Sequence, residues 1–284
     1  MLKARSLALS ATVVLLAVGC GGKPAGGGPA DTPPQSTRAS HSPSVAGSPE
    51  PTQRELTAGT HAVHFRSVDG DRLAGRLFGH GKTAVILSHM GPFGQDQTEW
   101  WPTARELSKR GYTVLTYDYS GICSGGAAGC SGGKTSVLEP APNLLGAISY
   151  MRSRGADRVV LGGASMGAMA SLKVAARPDV QAAAVFSLSG VEAFSGPYEL
   201  SRDVIRRIGE PKLFVAGDGD EEAADAARDW IQWSTPPRMG KILSTGLHGT
   251  DMITLASGGD ADIPGKVTNL IRSFLDRFAP ARKS

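Results

Sequence analysis

Short apolar runs alternate with stretches of helical periodicity over all but the first fifth of the chain. Two segments of alternating polarity, His61 to Arg66 and Arg72 to Phe78, flank the turn sequence Asp69-Gly70-Asp71, which predicts an antiparallel hairpin. Further runs are nearly continuous in apolar residues, as is typical of buried parallel strands: Thr83 to Leu87, Thr113 to Tyr117, Val159 to Leu161, Ala182 to Phe186, Leu213 to Ala216 and Lys241 to Leu243.

Helical patterns occupy the intervals between these runs. The last one is the clearest, because its apolar residues from Val267 to Phe278 recur on one helical face. The others cover Thr103 to Lys109, Pro142 to Arg152, Met166 to Ala176, Leu200 to Ile208 and Ala223 to Trp233. This alternation predicts an α/β fold with a mostly parallel, eight-stranded sheet and helices on both faces. Functional residues are then expected at the carboxyl ends of the strands.

The N-terminus has the three parts of a secretory signal peptide over residues 1–19. Lys3 and Arg5 precede an apolar run from Leu7 to Val18, and small residues follow. The run has about 12 residues, whereas a helix that spans a bilayer needs roughly 20. Export with removal of the signal is therefore predicted, and a permanent transmembrane helix is not.

The sequence Ala17-Val18-Gly19-Cys20 resembles the lipobox of bacterial lipoproteins, although Ala17 stands where Leu is more common. The resemblance implies that Cys20 carries a diacylglycerol group, which would anchor the protein on the outer side of the cell membrane. The alternative is an ordinary cleaved signal peptide, in which Cys20 has no special role.

Residues 20–58 are rich in Gly, Pro, Ser, Thr and Ala, and so predict a flexible linker. The remaining residues, 59–284, have the length of one domain. The net charge of +4 is spread along the chain without a basic block, which argues against nucleic acid as a partner. We expect a monomer that is held at the membrane through the lipid anchor.

Ser165 lies in the motif Gly163-Ala164-Ser165-Met166-Gly167, between an apolar strand and an Ala-rich helix. Glycines two positions either side of a serine permit a sharp turn that exposes the hydroxyl at the strand tip. The context of strand and helix makes a nucleophile the favoured interpretation, with a purely structural turn as the alternative.

A serine nucleophile requires a base, and the chain has six histidines. Four of them lie in the linker or at the start of the domain, far from the expected active edge: His41, His61, His64 and His80. His89 and His248 remain, since each follows a predicted strand.

At these residues the chain resembles the α/β-hydrolase family over residues 60–284, with nucleophile, acid and histidine in the family's order. The resemblance implies that His248 is the general base and that His89 is a structural residue beside the oxyanion hole. It also selects Asp220 over Asp218 as the acid, by the spacing from Gly217. Asp218 is then a turn-capping residue. Glu221 is an alternative acid, but it begins a predicted helix, where a negative charge is favourable to the helix dipole.

The oxyanion hole needs two backbone N–H donors. Met166, directly after the nucleophile, supplies one. The second is assigned to Met90, where the family usually has glycine, with Gly91 as the alternative. Trp100 and Trp101 follow this loop and either wall an acyl pocket or pack at the start of a helix.

Cys123 and Cys130 share a Gly-rich loop, and an oxidising compartment would join them in a disulfide. Two free thiols or half of a metal site are the alternatives. The loop lacks the further ligands that zinc requires, so neither a metal nor a cofactor is expected.

The sequence thus predicts an extracytoplasmic serine hydrolase, specifically a carboxylesterase that forms an acyl-enzyme. Only Ser187 to Pro211 separates two predicted strands where many family members that bind long lipids insert a cap, so the expected substrate is a small-molecule ester with a short acyl group. Serine at the nucleophile position argues against dehalogenases and epoxide hydrolases, which use Asp. A cofactor-free haloperoxidase and a catalytically silent lipoprotein that binds a ligand remain as alternatives.

Overall fold

A computed structural model describes residues 52–91, 94–123, 129–134, 140–193, 199–254 and 262–282. The predicted signal peptide, Cys20 and the linker up to residue 51 lie outside the described residues. In the part of the chain that is described, no helix is both long enough and apolar enough to cross a membrane.

One eight-stranded sheet forms the centre of the domain, in the order β1-β2-β4-β3-β5-β6-β7-β8. The strands are β1 (His61–Arg66), β2 (Arg72–Phe78), β3 (Thr83–Ser88), β4 (Thr113–Tyr117), β5 (Arg158–Ala164), β6 (Ala184–Leu188), β7 (Lys212–Gly217) and β8 (Arg238–Leu243). Strand β2 is antiparallel to both of its neighbours, and β3 to β8 are parallel. The hairpin and the parallel sheet agree with the sequence pattern.

Helices cover both faces of the sheet. They are α1 (Gln53–Thr57), α2 (Trp101–Lys109), α3 (Ala141–Ser153), α4 (Met166–Ala175), α5 (Arg202–Arg207), α6 (Glu221–Trp233) and α7 (Asp262–Phe278). One apolar core is built on α3, α4, α5 and α6, and a second on α2 and α7. Two short 3₁₀ helices, Gln97–Trp100 and Gly249–Ile253, follow β3 and β8.

Helix α1 was not expected from the sequence, because it occupies the end of the predicted linker. Thr52 caps it, accepting from the Glu55 N–H, while the Glu55 carboxylate accepts from the Thr52 N–H. This reciprocal capping box satisfies backbone donors that a short helix otherwise leaves unpaired. A polar segment can therefore be helical without an apolar stripe.

The loop after β4 carries the predicted disulfide between Cys123 and Cys130. Ser131, which is buried, fixes the end of this loop to the sheet. Its hydroxyl donates to the Asp118 carbonyl at 2.7 Å and accepts from the Ala74 N–H at 2.9 Å. The disulfide loop is thereby held at the carboxyl end of β4, on the edge where the functional residues were expected.

Trp100 and Trp101 belong to the core. Trp100 is fully buried and its Nε1–H donates to the Ser88 carbonyl at 3.0 Å. Trp101 is 1% exposed and lies under the Arg76 guanidinium, 5.1 Å from the ring centre. Packing at the helix start is therefore the correct alternative, and neither ring walls an acyl pocket.

Candidate active site

Ser165 stands at a sharp turn between β5 and α4. Its backbone has φ 49° and ψ −117°, in a region that residues with a side chain seldom adopt. Such a conformation costs about 1–3 kcal/mol and persists only where the surrounding structure imposes it. The backbone at Ser165 thus makes the sharp turn that the glycine spacing predicted.

Two glycines make this turn possible. A side chain at Gly163 would collide with the carbonyl of Gly167, and one at Gly167 would collide with the carbonyl of Ser88. The backbone of α4 thus approaches both β5 and the end of β3 at distances that only glycine allows. The spacing of the motif is a packing requirement as well as a conformational one.

His248 and Asp220 form the hydrogen-bonded pair that the sequence assigned as base and acid. Their atoms Nδ1 and Oδ2 are 2.8 Å apart. Because a carboxylate only accepts hydrogen bonds, the ring donates through Nδ1–H, which leaves Nε2 as the basic nitrogen. This is the tautomer required of a general base that takes a proton from serine.

Asp218 has a different partner set. Its carboxylate accepts from the Thr245 N–H at 3.0 Å and from the Ser244 hydroxyl at 3.1 Å. It therefore closes the turn that leads from β8 to His248, as expected for a turn-capping residue. Glu221 is the first residue of α6, where a negative charge favours the helix dipole.

The segments that carry Ser165 and His248 meet directly. Gly249, with φ 56°, follows His248, and a Cβ built on it would lie 3.4 Å from the Cβ of Ala164, the residue before Ser165. Among the described residues no hydrogen bond joins the Ser165 hydroxyl to the His248 ring, so their proximity rests on this packing. In enzymes without substrate such bonds are often long.

No protein-family profile and no curated protein matches the chain. Solved structures do. The Pyrococcus furiosus esterase Pf2001 matches with a TM-score of 0.61 at 16% identity, over 81% of this chain and 96% of that one. The Xanthomonas campestris protein XC6422, described as an α/β serine hydrolase without a lid, matches with a TM-score of 0.58 at 17% identity, over 77% of this chain and 94% of that one. A dienelactone hydrolase from Anabaena variabilis matches with a TM-score of 0.59 at 18% identity, over 77% of this chain and 97% of that one.

This chain has the α/β-hydrolase fold. The prediction of the fold from the sequence is confirmed. At this level of identity the similarity concerns the fold alone, so the chemistry has to be argued from the residues themselves.

His89 lies directly after the end of β3. The ring is fully buried, and burial lowers the pKa of His89 to about 3, so the imidazole is neutral. It packs 4.4 Å from the Tyr119 ring, centre to centre, and Nε2 accepts from the Tyr119 N–H at 3.4 Å. His89 thus ties the loop after β3 to the loop after β4.

The two residues assigned as oxyanion donors lie in different segments, Met166 at the start of α4 and Met90 in the loop after β3. Met166 is the first residue of α4, where backbone N–H groups have no partner within the helix. Met90 is buried directly after His89, and its sulfur accepts from the Thr250 N–H at 3.4 Å. The sulfur contact connects the predicted oxyanion loop to the histidine segment.

His248 lies in a strongly acidic environment. The hydrogen bond that the His248 ring donates to Asp220 raises the pKa of His248, and the charges of Asp220, Asp251 and Glu222 raise it further, while burial opposes them. The protonated, imidazolium form of His248 is therefore stabilised.

Sequence reasoning missed a further carboxylate at this edge, that of Glu99. Glu99 Oε2 accepts from the Thr250 hydroxyl at 2.8 Å, across 151 residues of sequence. No local motif marks this pair, because each residue lies in a short 3₁₀ helix with little pattern. Across the described residues there is no group of three or more His, Cys, Asp or Glu side chains suited to hold a metal ion.

Proposed function

We propose that this protein is a serine hydrolase, most specifically a carboxylesterase that works through an acyl-enzyme. The observation that carries the proposal is the hydrogen bond between Asp220 and His248 at the edge where Ser165 stands strained. In the proposed mechanism His248 Nε2 removes the Ser165 proton as the hydroxyl attacks the ester carbonyl. The N–H groups of Met90 and Met166 stabilise the oxyanion, and His248 then protonates the leaving alcohol.

Hydrolysis of the acyl-enzyme uses the same groups in reverse. His248 takes a proton from water, which attacks the acyl carbonyl, and returns that proton to Ser165 as the acid leaves. Asp220 holds the ring in one orientation through both halves. No cofactor enters this scheme.

We further propose that the substrates are short acyl esters. The connection from β6 to β7 holds only α5, of six residues, in its described part, which leaves little material for a cap over the site. The lid-free description of the Xanthomonas campestris protein is in keeping with this proposal. Each methylene without a pocket forgoes about 0.8 kcal/mol of burial, so rates should stop rising after the first few carbons.

A series of p-nitrophenyl esters from acetate to palmitate tests both proposals. We expect hydrolysis with kcat/KM highest at short chains, and its loss in Ser165→Ala. A maximum at twelve carbons or beyond would contradict the open site but leave the esterase proposal standing. Absence of hydrolysis across the series would count against the esterase proposal itself.

We also propose export and lipid anchoring through Cys20. The disulfide between Cys123 and Cys130 supports the export proposal, because such bonds persist in oxidising compartments. Cys20→Ser should release the protein from the membrane fraction into the soluble fraction. Retention of the variant in the membrane fraction would contradict the anchor.

A further inference from the structure

Glu99 connects two segments that the proposed mechanism needs to keep in register. It lies in the 3₁₀ helix Gln97–Trp100, which follows the loop of the proposed oxyanion donor Met90. Its partner Thr250 is 1% exposed and lies two residues after His248. The hydrogen bond from the Thr250 hydroxyl to Glu99 therefore joins the segment after β3 to the segment after β8.

Thr250 also binds the oxyanion loop directly. Its N–H donates to the Met90 sulfur at 3.4 Å, and a side chain on Gly249 would collide with the same sulfur. Gly249 lies in turn against Ala164. Three segments thus meet at one packed contact: those of the proposed nucleophile, base and second oxyanion donor. Glu99 is hydrogen-bonded to this contact through Thr250.

The charge of Glu99 lowers the stability of the folded state, so stability alone does not explain a glutamate at this position. Burial, together with the charges of Asp96 and Asp251, raises the pKa of Glu99 to about 7, although the hydrogen bond from Thr250 lowers it. A carboxyl group with a raised pKa lowers the stability of the folded state as pH rises from the ordinary pKa of a glutamate to the raised pKa of about 7. An uncharged residue would avoid this penalty.

We propose that Glu99 is a positioning residue: through the Thr250 hydroxyl it holds the His248 segment against the Met90 loop. This inference rests on the proposed hydrolase function. Its physical basis is that a displacement of about 1 Å between reacting groups can lower a rate by as much as a hundredfold. Glu99 itself does not contact the reacting atoms.

The test compares Glu99→Ala and Thr250→Val with the conservative variants Glu99→Gln and Thr250→Ser. Either of the first two should lower kcat about tenfold with KM nearly unchanged. The double variant should be no worse than each single one, because both remove the same hydrogen bond. Glu99→Gln and Thr250→Ser should recover most of the loss, since an amide oxygen still accepts and a serine hydroxyl still donates.

Two further measurements separate positioning from general stability. The melting temperature of Glu99→Gln at pH 8 should equal or exceed that of the wild type, because the amide keeps the hydrogen bond from Thr250 and removes the charge. The low-field NMR resonance of the proton between His248 and Asp220 should broaden or shift in Glu99→Ala and remain in Glu99→Gln. Glu106→Ala, which removes an exposed carboxylate paired with Lys109, is the matched control and should change neither kcat nor the resonance.

Retained kcat with an unchanged resonance in Glu99→Ala, equal losses in Glu99→Ala and Glu99→Gln, or additive losses in the double variant would overturn the proposal. Failure of the hydrolase proposal is recognised separately, since the wild type would then show no ester hydrolysis. The NMR comparison still decides the role of Glu99 in that case.

Discussion

Two aspartates lie two positions apart after β7, and only one of them touches the histidine. Asp220 contacts His248, whereas Asp218 accepts hydrogen bonds from Ser244 and Thr245, in the turn that precedes His248. Asp220→Asn should lower kcat/KM by about 10³- to 10⁴-fold, because the ring loses its tautomer and orientation. Asp218→Asn should be mild. Steady-state kinetics on both variants checks this, and a greater loss in Asp218→Asn would reverse the assignment.

The acidic surroundings of His248 predict the pH dependence of the reaction. The ring must be neutral to act as a base, and the pKa of His248 is raised, chiefly by the hydrogen bond that the ring donates to Asp220. The kcat/KM should therefore fall as pH decreases through a value above the ordinary histidine pKa. In Asp220→Asn the acidic limb of the kcat/KM profile for the residual activity should move to lower pH. An unchanged acidic limb in that variant, measured beside Asp218→Asn, would show that Asp220 does not set it.

At the scale of elements, the turn between β5 and α4 depends on glycines that leave no room for a methyl group. Gly167→Ala would force the start of α4 away from the Ser88 carbonyl. Overpacking of this kind costs about 1–3 kcal/mol, and the displaced turn should also abolish activity. Urea unfolding and ester hydrolysis measure the two effects.

Gly209→Ala is the matched control for this variant, because no atom lies within 4 Å of the added methyl group. It should leave activity unchanged and stability nearly so. Wild-type stability and activity in Gly167→Ala would show that the turn tolerates a side chain.

The elements best predicted from the sequence are those that local pattern determines. The hairpin, the parallel strands and the turn at Ser165 each have a local signal of alternation, apolar run or glycine spacing. Strand β6 begins and ends two residues later than its apolar run suggested, because pairing with β5 and β7 sets its limits. Boundaries depend on neighbours that a single run does not reveal.

Long-range contacts are the part that the sequence could not supply. Asp220 was identified because its spacing after a strand is local information. The bond between Glu99 and Thr250 joins residues that no pattern relates, and it emerges only when β3 and β8 lie in one sheet. The same holds for Trp100, where sequence left packing and pocket equally open, and burial decided.

At the scale of the whole molecule, several segments that follow the strands are acidic, although the protein has a net positive charge. The protein has 30 Lys and Arg residues and a net charge of +4. Four segments that follow β3, β6, β7 and β8 contain Asp and Glu but no Lys or Arg: residues 89–100, 189–201, 218–222 and 244–261. These strands end at the edge that carries Ser165, Asp220 and His248, so the field near Ser165 should attract cations and repel anions.

Ester substrates of equal size and different charge test this expectation. An acetate ester with a trimethylammonium group should show a higher kcat/KM than one with a carboxylate group. The ratio should fall as salt is added, because ions screen the field over about 10 Å at 0.1 M. A preference for the carboxylate ester at low salt would contradict the expectation.

The central claim is that Ser165 is a nucleophile activated by His248. Covalent labelling with a fluorophosphonate, followed by intact-mass measurement and peptide mapping, tests it without knowledge of the natural substrate. The account predicts one label per chain, located on Ser165, with none on Ser165→Ala and labelling slowed by about 10³-fold or more in His248→Ala. A wild-type protein that stays unlabelled, or a label that persists in Ser165→Ala, would contradict it.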